Sequence, residues 1–493
     1  MENNVGIKFD DSDITVEEFM KTRYKEYWQY SNKDGKNAID AYEQLPEVVR
    51  KIIYACYMIN VRVGDERKTV QLAGQVSQLH AHGDASIQDS IKGVASAWKS
   101  QPATRLLQGI GNFGDSPSSD GAAARYTAIS GTPLLTAIYK DIPYVPTNSD
   151  DTGIEQPNYV SCPIPMGLIN GVSPIGTGRS CYLTEREAHE VIKWIDALRL
   201  YNWSIEEAEK AGVPEPKPYS FTGCKTWYEP SNGYIYYEAV VHYGVNMNDI
   251  TKKGKYDVIT NLPPKSNSDI VITKLRNKLP TRVTNKIVDG SGKGRPTWII
   301  VPTGYLDEKD FAKYSMRSAR KEQVYIWDHQ YETMRKAGII DIACEWFEDR
   351  SRIVSMRLNE QMIKLKANNH KIDLIKAFSE EKMINWKSEE VVDYFVNLAV
   401  ENNFTGFEID DHHKLIVLAP EDAGKKDANT VLSLSARTFL PENVAANELV
   451  REKNDKDIAE IEDEIKNIGD VIIREANEII DAQEKFFKTI END

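Results

Sequence analysis

Eight apolar residues near the C-terminus, Ile458, Ile461, Ile465, Ile468, Ile472, Ile479, Ala482 and Phe486, follow a three-then-four spacing that only Glu475 interrupts. That repeat matches a slightly under-wound α-helix and leaves an apolar stripe too narrow to cover a broad core. The spacing predicts one long helix in residues 441–493, laid along a partner helix as a coiled coil. The partner is either the charged helical stretch around 345–378 or a second copy of the chain. The 16 acidic and 7 basic residues of 441–493 then form a solvated outer face.

That tail carries most of the net charge of −14. Residues 41–180 hold 12 acidic and 11 basic side chains, so a basic face remains available there, and net charge neither supports nor excludes a nucleic-acid partner. A chain of 493 residues, 41% hydrophobic and 28% charged, fits a soluble protein of several domains. No apolar run approaches a membrane span. The acidic start, MENNVGIKFDDSD, reads as neither a signal nor a transit peptide. Cys56, Cys162, Cys181, Cys224 and Cys344 never form a CxxC pair, which argues against zinc and a disulfide framework and fits a reducing cytoplasm.

After a polar lead-in, Leu45, Val48, Val49, Ile52, Ile53, Cys56 and Tyr57 form one continuous helical stripe, with Arg50 and Lys51 off it. A second, shorter helix is expected over 68–79 with Val70, Ala73 and Val76 inward. A third is expected after Gly83, with Ile87, Ile91, Val94 and Trp98 on one face. Three short helices followed by a Gly-rich stretch, 108–114, predict a helix-turn-helix with a wing. The Pro- and Gly-dense segment 157–180 reads as a hinge or a tightly turned strand and loop. Strand-like runs at 234–242 (YIYYEAVVH), 256–262 and 298–302, with a helix near 269–278, predict a mixed α/β region. A charged helix is expected over 341–378, then a smaller mixed segment with turn signals at 421–429.

The chemistry concentrates in two places. In GAAARYT (121–127), Tyr126 offers a hydroxyl whose ordinary pKa makes it a poor nucleophile, and Arg125 beside it offers a permanently charged fork matched to phosphate oxygens. Alone, an Arg-Tyr pair is more often a buried tyrosine next to a surface arginine. In HAHGD (80–84), His80 and His82 precede a helix whose N-terminus favours an anion, and imidazoles there could donate to phosphate or relay a proton. A helix cap by Asp84 beside two incidental histidines, or an HxH metal pair, are the other readings; no carboxylate or Cys cluster completes the latter.

Together with LPEVVRKIIYA (45–55), KTVQLAG (68–74), QGIGNFG (108–114) and PIPMGLINGVSPIGTGRSC (163–181), these blocks resemble, in order over roughly 40–182, the breakage–reunion component of type II DNA topoisomerases, known in gyrase and topoisomerase IV as the A subunit. KTVQLAG and IGTGRSC look like the eukaryotic and T-even-phage forms and HAHGD like the bacterial one. That mixture, with no fused ATPase sequence, is similar to the medium subunit of T-even-phage topoisomerases.

The resemblance implies a multidomain α+β fold. Its parts are a lead-in (1–39), a winged-helix DNA-cleavage domain (40–175), an α/β tower domain (176–340), and two arms of a long antiparallel coiled coil (341–381 and 441–493) around a small C-gate dimerisation segment (382–440). It implies that Tyr126 forms a 5′-phosphotyrosyl link, with Arg125, Arg50, His80 and His82 at the cleavage site. Lys68, Asp84 and Arg179 would contact DNA, and Ile175 would wedge between base pairs and bend the duplex. Partners would be double-stranded DNA, a second copy of the chain, and a large subunit that carries the ATPase and the Mg²⁺-binding Toprim domain. No metal is expected in this chain, and ATP is hydrolysed by the partner. The location would be cytoplasmic, in a host if the chain is of phage origin.

Two departures carry expectations. Ala85 stands where the family has a quinolone-bridging serine, although Asp89 keeps the acidic position, so quinolone sensitivity is expected to be weak. No DNA-wrapping domain follows the coil, so relaxation without negative supercoiling is expected. The competing reading is a non-enzymatic winged-helix architectural dimer, which leaves AAARYT and HAHGD without a purpose.

Overall fold

The computed structural model describes residues 15–25, 27, 39–80, 83–97, 99–114, 121–149, 153–174, 181–264, 266–292, 297–328, 333–404, 406–409 and 415–492. His82, Trp98, Ile175 and Arg179 lie outside them. Helices and several small sheets mix along the chain, a multidomain α+β arrangement. No helix among the described residues is long and apolar enough to cross a membrane.

The first body begins with strand β1 (Ile39–Asp40) and helices α1 (Glu47–Met58), α2 (Thr69–Ser77) and α3 (Asp84–Ala95). Ile52, Ile53 and Cys56 of α1 are buried as their spacing requires, and so is Arg50, which the stripe leaves outside. In α2 it is Leu72, Ala73 and Val76 that face the core, whereas Val70, expected inward, is exposed. Three strands, β2 (Arg67–Lys68), β3 (Leu107–Ile110) and β4 (Ala128–Gly131), form an antiparallel sheet in the order β2-β4-β3. Helix α4 (Pro133–Tyr139) follows directly, and β5 (Thr147–Ser149) pairs with β6 (Glu155–Pro157). The Pro- and Gly-dense stretch contains a buried helix, α5 (Met166–Asn170), and leads to α6 (Ala188–Leu200).

A second core occupies the middle of the chain. Strands β7 (Lys225–Glu229) and β8 (Tyr234–Glu238) belong to one sheet; β9 (Val240–Asn246), β10 (Asp249–Lys253), β11 (Tyr256–Asn261), β12 (Val288–Asp289) and β13 (Ile299–Pro302) form another, with helix α7 (Ser268–Lys278) against it. The single run YIYYEAVVH is therefore divided: at the fully buried Ala239, whose N–H donates to the Met316 carbonyl at 2.8 Å, the chain leaves one sheet for the other. Strand β14 (Arg317–Arg320) pairs with β8, while β15 (Val324–Asp328) and β16 (Thr333–Ala337) return to the first body, where β15 runs parallel to β1. The block 176–340 is thus shared: its two ends pack in the first core and only its middle in the second.

Helix α8 (Ile339–Glu380) is 42 residues long. It leads to α9 (Ser388–Glu401), the hairpin β17 (Gly406–Ile409) and β18 (Leu415–Leu418), and α10 (Pro420–Leu432). The turn signals of 421–429 resolve instead as the helix α10. Pro420 starts it, Glu421 and Asp422 favour its N-terminal dipole, and Gly424 is set by packing. A Cβ at Gly424 would stand 2.6 Å from Val396 Cα, so the glycine lets α9 and α10 cross in close contact.

The long C-terminal helix breaks at Asn467 into α11 (Pro441–Lys466) and α12 (Ile468–Asn492). Of the two candidate partners, α11 takes the earlier stretch and runs antiparallel to α8. Lys366 pairs with Glu462 at 3.1 Å and Arg451 with Asp373 at 2.5 Å, and the buried Asn454 donates to Asn369 at 2.8 Å. A buried polar pair of this kind holds register at some cost in stability. Beyond the break the expected seam shifts by one residue. Val471, Ile472, Ala476, Ile480, Gln483 and Phe487 are buried, while Ile479, Ala482 and Phe486 are only half-buried. The reason is a change of partner: α12 leaves the coil and docks on α4 and α6 of the first body. Gly469 permits the approach, since a Cβ there would meet the Arg199 guanidinium at 2.9 Å. Glu475, the interruption in the heptad, enters an ionic core with Arg350 and Arg357.

Candidate active site

Tyr126 stands at the end of the hairpin formed by β3 and β4. The strands are in register from Leu107 opposite Gly131 to Ile110 opposite Ala128, and residues 111–127 connect them. Ala124, Arg125 and Tyr126 make one turn of 3-10 helix, closed by the Tyr126 N–H donating to the Ala123 carbonyl at 2.8 Å. Of the alanines, Ala124 is buried and anchors the turn, while Ala123 is exposed. Tyr126 itself is 72% exposed, and the exposed Arg125 guanidinium lies 5.8 Å from its ring centre. The commoner fate of an Arg-Tyr pair, a tyrosine folded into the core, is not what the chain adopts.

The turn is tied down from below. Thr127 Oγ1 donates to Thr69 Oγ1 at 2.8 Å, and the Thr69 N–H donates to the Thr127 carbonyl at 3.1 Å. Strand pairing places the exposed Lys68 opposite Ala128, two residues after Tyr126. The N-terminus of α2 therefore lies beside the tyrosine turn, and Lys68 is the residue just before its first turn, with no side-chain hydrogen bond to the helix. An exposed guanidinium near the ring, an exposed lysine on the neighbouring strand and a helix N-terminus beside the turn make a surface suited to a phosphate. Sequence reasoning misses Thr69 and Thr127, although each adjoins a residue that it finds; their signal is a hydroxyl next to that residue within a quoted block.

The remaining candidates are placed differently. Arg50 is 7% exposed, its guanidinium 3.2 Å from the fully buried Glu43 and bound to the Asn158 carbonyl. Glu43 also accepts the Val160 N–H at 3.0 Å, so Arg50 braces α1 against residues 158–160. His80 is buried near Glu47, whose carboxyl forms an ion pair with Lys51 at 2.9 Å. Burial raises the Glu47 pKa, but Lys51, Arg50 and His80 outweigh it and hold the carboxyl below its usual range. Asp84 is exposed as the first residue of α3, with Gly83 in the capping position, so its charge acts on the helix dipole rather than as the cap. Among the described residues, no group of three or more His, Cys, Asp or Glu is arranged to hold a metal ion.

Comparison with known proteins adds to this geometry. The sequence model of the DNA gyrase/topoisomerase IV A-subunit family matches residues 41–477. The A subunit of DNA topoisomerase 4 from Mycoplasma pneumoniae is 28% identical over 272 residues, 53% of this chain and 32% of that protein. DNA topoisomerase 2-alpha of Sus scrofa is 31% identical over 192 residues, 38% of this chain and 12% of that protein. DNA topoisomerase 2 of Penicillium chrysogenum is 33% identical over 168 residues, 31% of this chain and 10% of that protein. The match thus spans about a third of these relatives' length or less. With the match to the family running over most of its length, the chain belongs to the DNA gyrase/topoisomerase IV A-subunit family.

Proposed function

We propose that this chain is the DNA-cleaving component of a type II topoisomerase and that Tyr126 is its nucleophile. The observation that carries this is the exposure of Tyr126 on a braced turn beside Arg125, in a chain of this family. The phenolic oxygen attacks a backbone phosphorus, an O–P bond forms, and the bond from phosphorus to the 3′ oxygen breaks. The phenol releases its proton and the 3′ oxygen takes one up. The phosphodiester energy is retained in the 5′-phosphotyrosyl bond, so resealing reverses the step without a nucleotide. Arg125 neutralises the charge that develops on the non-bridging oxygens, and Lys68 with the α2 N-terminus holds the adjoining backbone. Arg50 and His80 act from beneath by fixing α1 and the segment before α3. The unit of three helices and a sheet serves as a winged-helix DNA-binding domain, with His82 at the cleavage site and Asp84, Ile175 and Arg179 completing the contact to a bent duplex.

Mg²⁺ is carried by the Toprim domain of a large partner subunit, which also hydrolyses ATP. Two copies of this chain supply one tyrosine for each strand. The segment 382–440 around α9 and α10 is the dimer contact, supported by the exposed apolar residues concentrated there, among them Ile384, Leu398, Val400 and Val417. The holoenzyme is weakly sensitive to quinolones, since Ala85 stands in place of a serine.

The test uses the chain with its large subunit, Mg²⁺ and end-labelled plasmid, and reads DNA that stays attached to protein after denaturation. Unmodified chain gives 5′-attached adduct and Tyr126→Phe gives none while still binding DNA. Adduct formed by Tyr126→Phe, or none formed by the unmodified chain, would overturn the assignment.

A further inference from the structure

A glutamine in the C-terminal helix holds the far end of the tyrosine hairpin. Gln483 is fully buried, and its side chain bonds to backbone groups of two other segments. Its Oε1 accepts the Leu134 N–H at 3.3 Å, and its Nε2 donates to the carbonyls of Pro102 at 3.2 Å and Arg105 at 2.8 Å. Arg105 lies two residues before β3 and Leu134 three residues after β4, so the amide spans the open end of the hairpin whose closed end carries Tyr126.

The attachment to Leu134 satisfies a group that would otherwise be stranded. Pro133 begins α4 without an N–H, the Leu135 N–H is taken by Thr132 Oγ1 at 3.3 Å, and the Leu134 N–H is the one that Gln483 completes. A residue chosen only to pack would be Leu; a buried amide is costly unless its polar atoms are bonded, and here they are. One turn further along, Phe487 lies 4.2 Å from the Arg105 guanidinium, which also donates to the carbonyls of Ala97 and Ser100. Two turns back on the same face, Glu475 binds Arg350 and Arg357 of α8, and both arginines hold Asp141, just past the end of α4. Helix α12 thus grips the base of the long arm at one end and the base of the tyrosine hairpin at the other.

We propose that Gln483 is a positioning residue for Tyr126 and that α12 is the strut through which displacement of the long arm reaches the cleavage turn. The proposal rests on Tyr126 being the nucleophile. The hairpin strands are four residues each, so a tilt at the clamped end displaces the opposite end by a comparable distance. In-line attack tolerates little such displacement.

The experiment uses the assembled holoenzyme and measures adduct formation and religation rates at saturating DNA, DNA affinity, and thermal unfolding. Gln483→Met keeps the volume and removes the three hydrogen bonds; Phe487→Leu loosens the Arg105 contact and stands in should the first variant not fold. Adduct formation is expected to fall about tenfold in Gln483→Met, and less in Phe487→Leu, with DNA affinity unchanged. Wild-type adduct rates in a folded variant overturn the proposal alone, as does a parallel loss of affinity and adduct, which marks a merely structural role. An unmodified chain that forms no adduct overturns the nucleophile assignment and this proposal with it.

Discussion

Arg125 and Arg350 carry the same guanidinium, and the fold uses them in opposite ways. On the tyrosine turn, Arg125 stands exposed beside an exposed ring. In the ionic core at the base of α8, Arg350 is 1% exposed and donates to Asp141 at 2.8 Å and to Ser161 Oγ at 3.0 Å, with Glu475 at 3.5 Å. A charge whose donors face solvent is available to a ligand. A charge whose donors are engaged by protein acts on architecture, because releasing it would strand buried carboxylates. Arg50 belongs with the second group although its sequence block associates it with the first.

Breaking the buried side of this contrast has the largest expected effect. Arg350→Ala leaves Asp141 buried with one cation fewer and is expected to cost about 3–5 kcal/mol, read as a lower unfolding midpoint in urea; a shift too small to resolve would place the network among dispensable contacts. Glu185 sharpens the contrast as an intermediate case. Its carboxyl accepts the Phe221 N–H at 2.9 Å, and burial pushes its pKa up to about 7. A carboxyl raised in the folded state stabilises the fold fully below its unfolded pKa, and that contribution is lost as pH rises through the folded value. Glu185→Gln keeps an acceptor for Phe221 and removes the buried charge. It is expected to stabilise the protein by about 2 kcal/mol at pH 8 and to leave it unchanged at pH 4; equal melting shifts at both pH values would contradict this. Arg125→Ala has the smallest expected effect on stability, with unchanged melting, yet the adduct should be lost. A melting temperature that fell along with the adduct would move Arg125 into the architectural group.

Much of the candidate site is legible in the sequence because its signals are local. The α1 stripe is an i, i+3, i+4 pattern, and Ile52, Ile53 and Cys56 are buried accordingly. Residue chemistry makes Tyr126 and Arg125 candidates and the ordered blocks around them single them out, and the hairpin presents them to solvent. What is not legible depends on partners remote in sequence. Arg50 lies off the α1 stripe, and only the return of residues 158–160 brings a carbonyl to it and an amide to the Glu43 beside it. The helix α10 is hidden behind Gly, Asp and Asn, residues that favour turns locally, because packing against α9 outweighs that preference and needs the glycine.

The C-terminal stretch marks the boundary between the two kinds of information. Its period of apolar residues is enough to specify helix, since side chains three and four apart share a face whatever lies opposite. Which body the face meets is a different quantity. Up to Lys466 it is the antiparallel α8, and from Ile468 it is the first body, with the buried stripe turned by one residue. Gln483 meets Arg105 across 378 residues of chain. Pairing energy of that kind depends on burial and hydrogen bonding between surfaces brought together in space, and no pattern within a few turns of one helix encodes it.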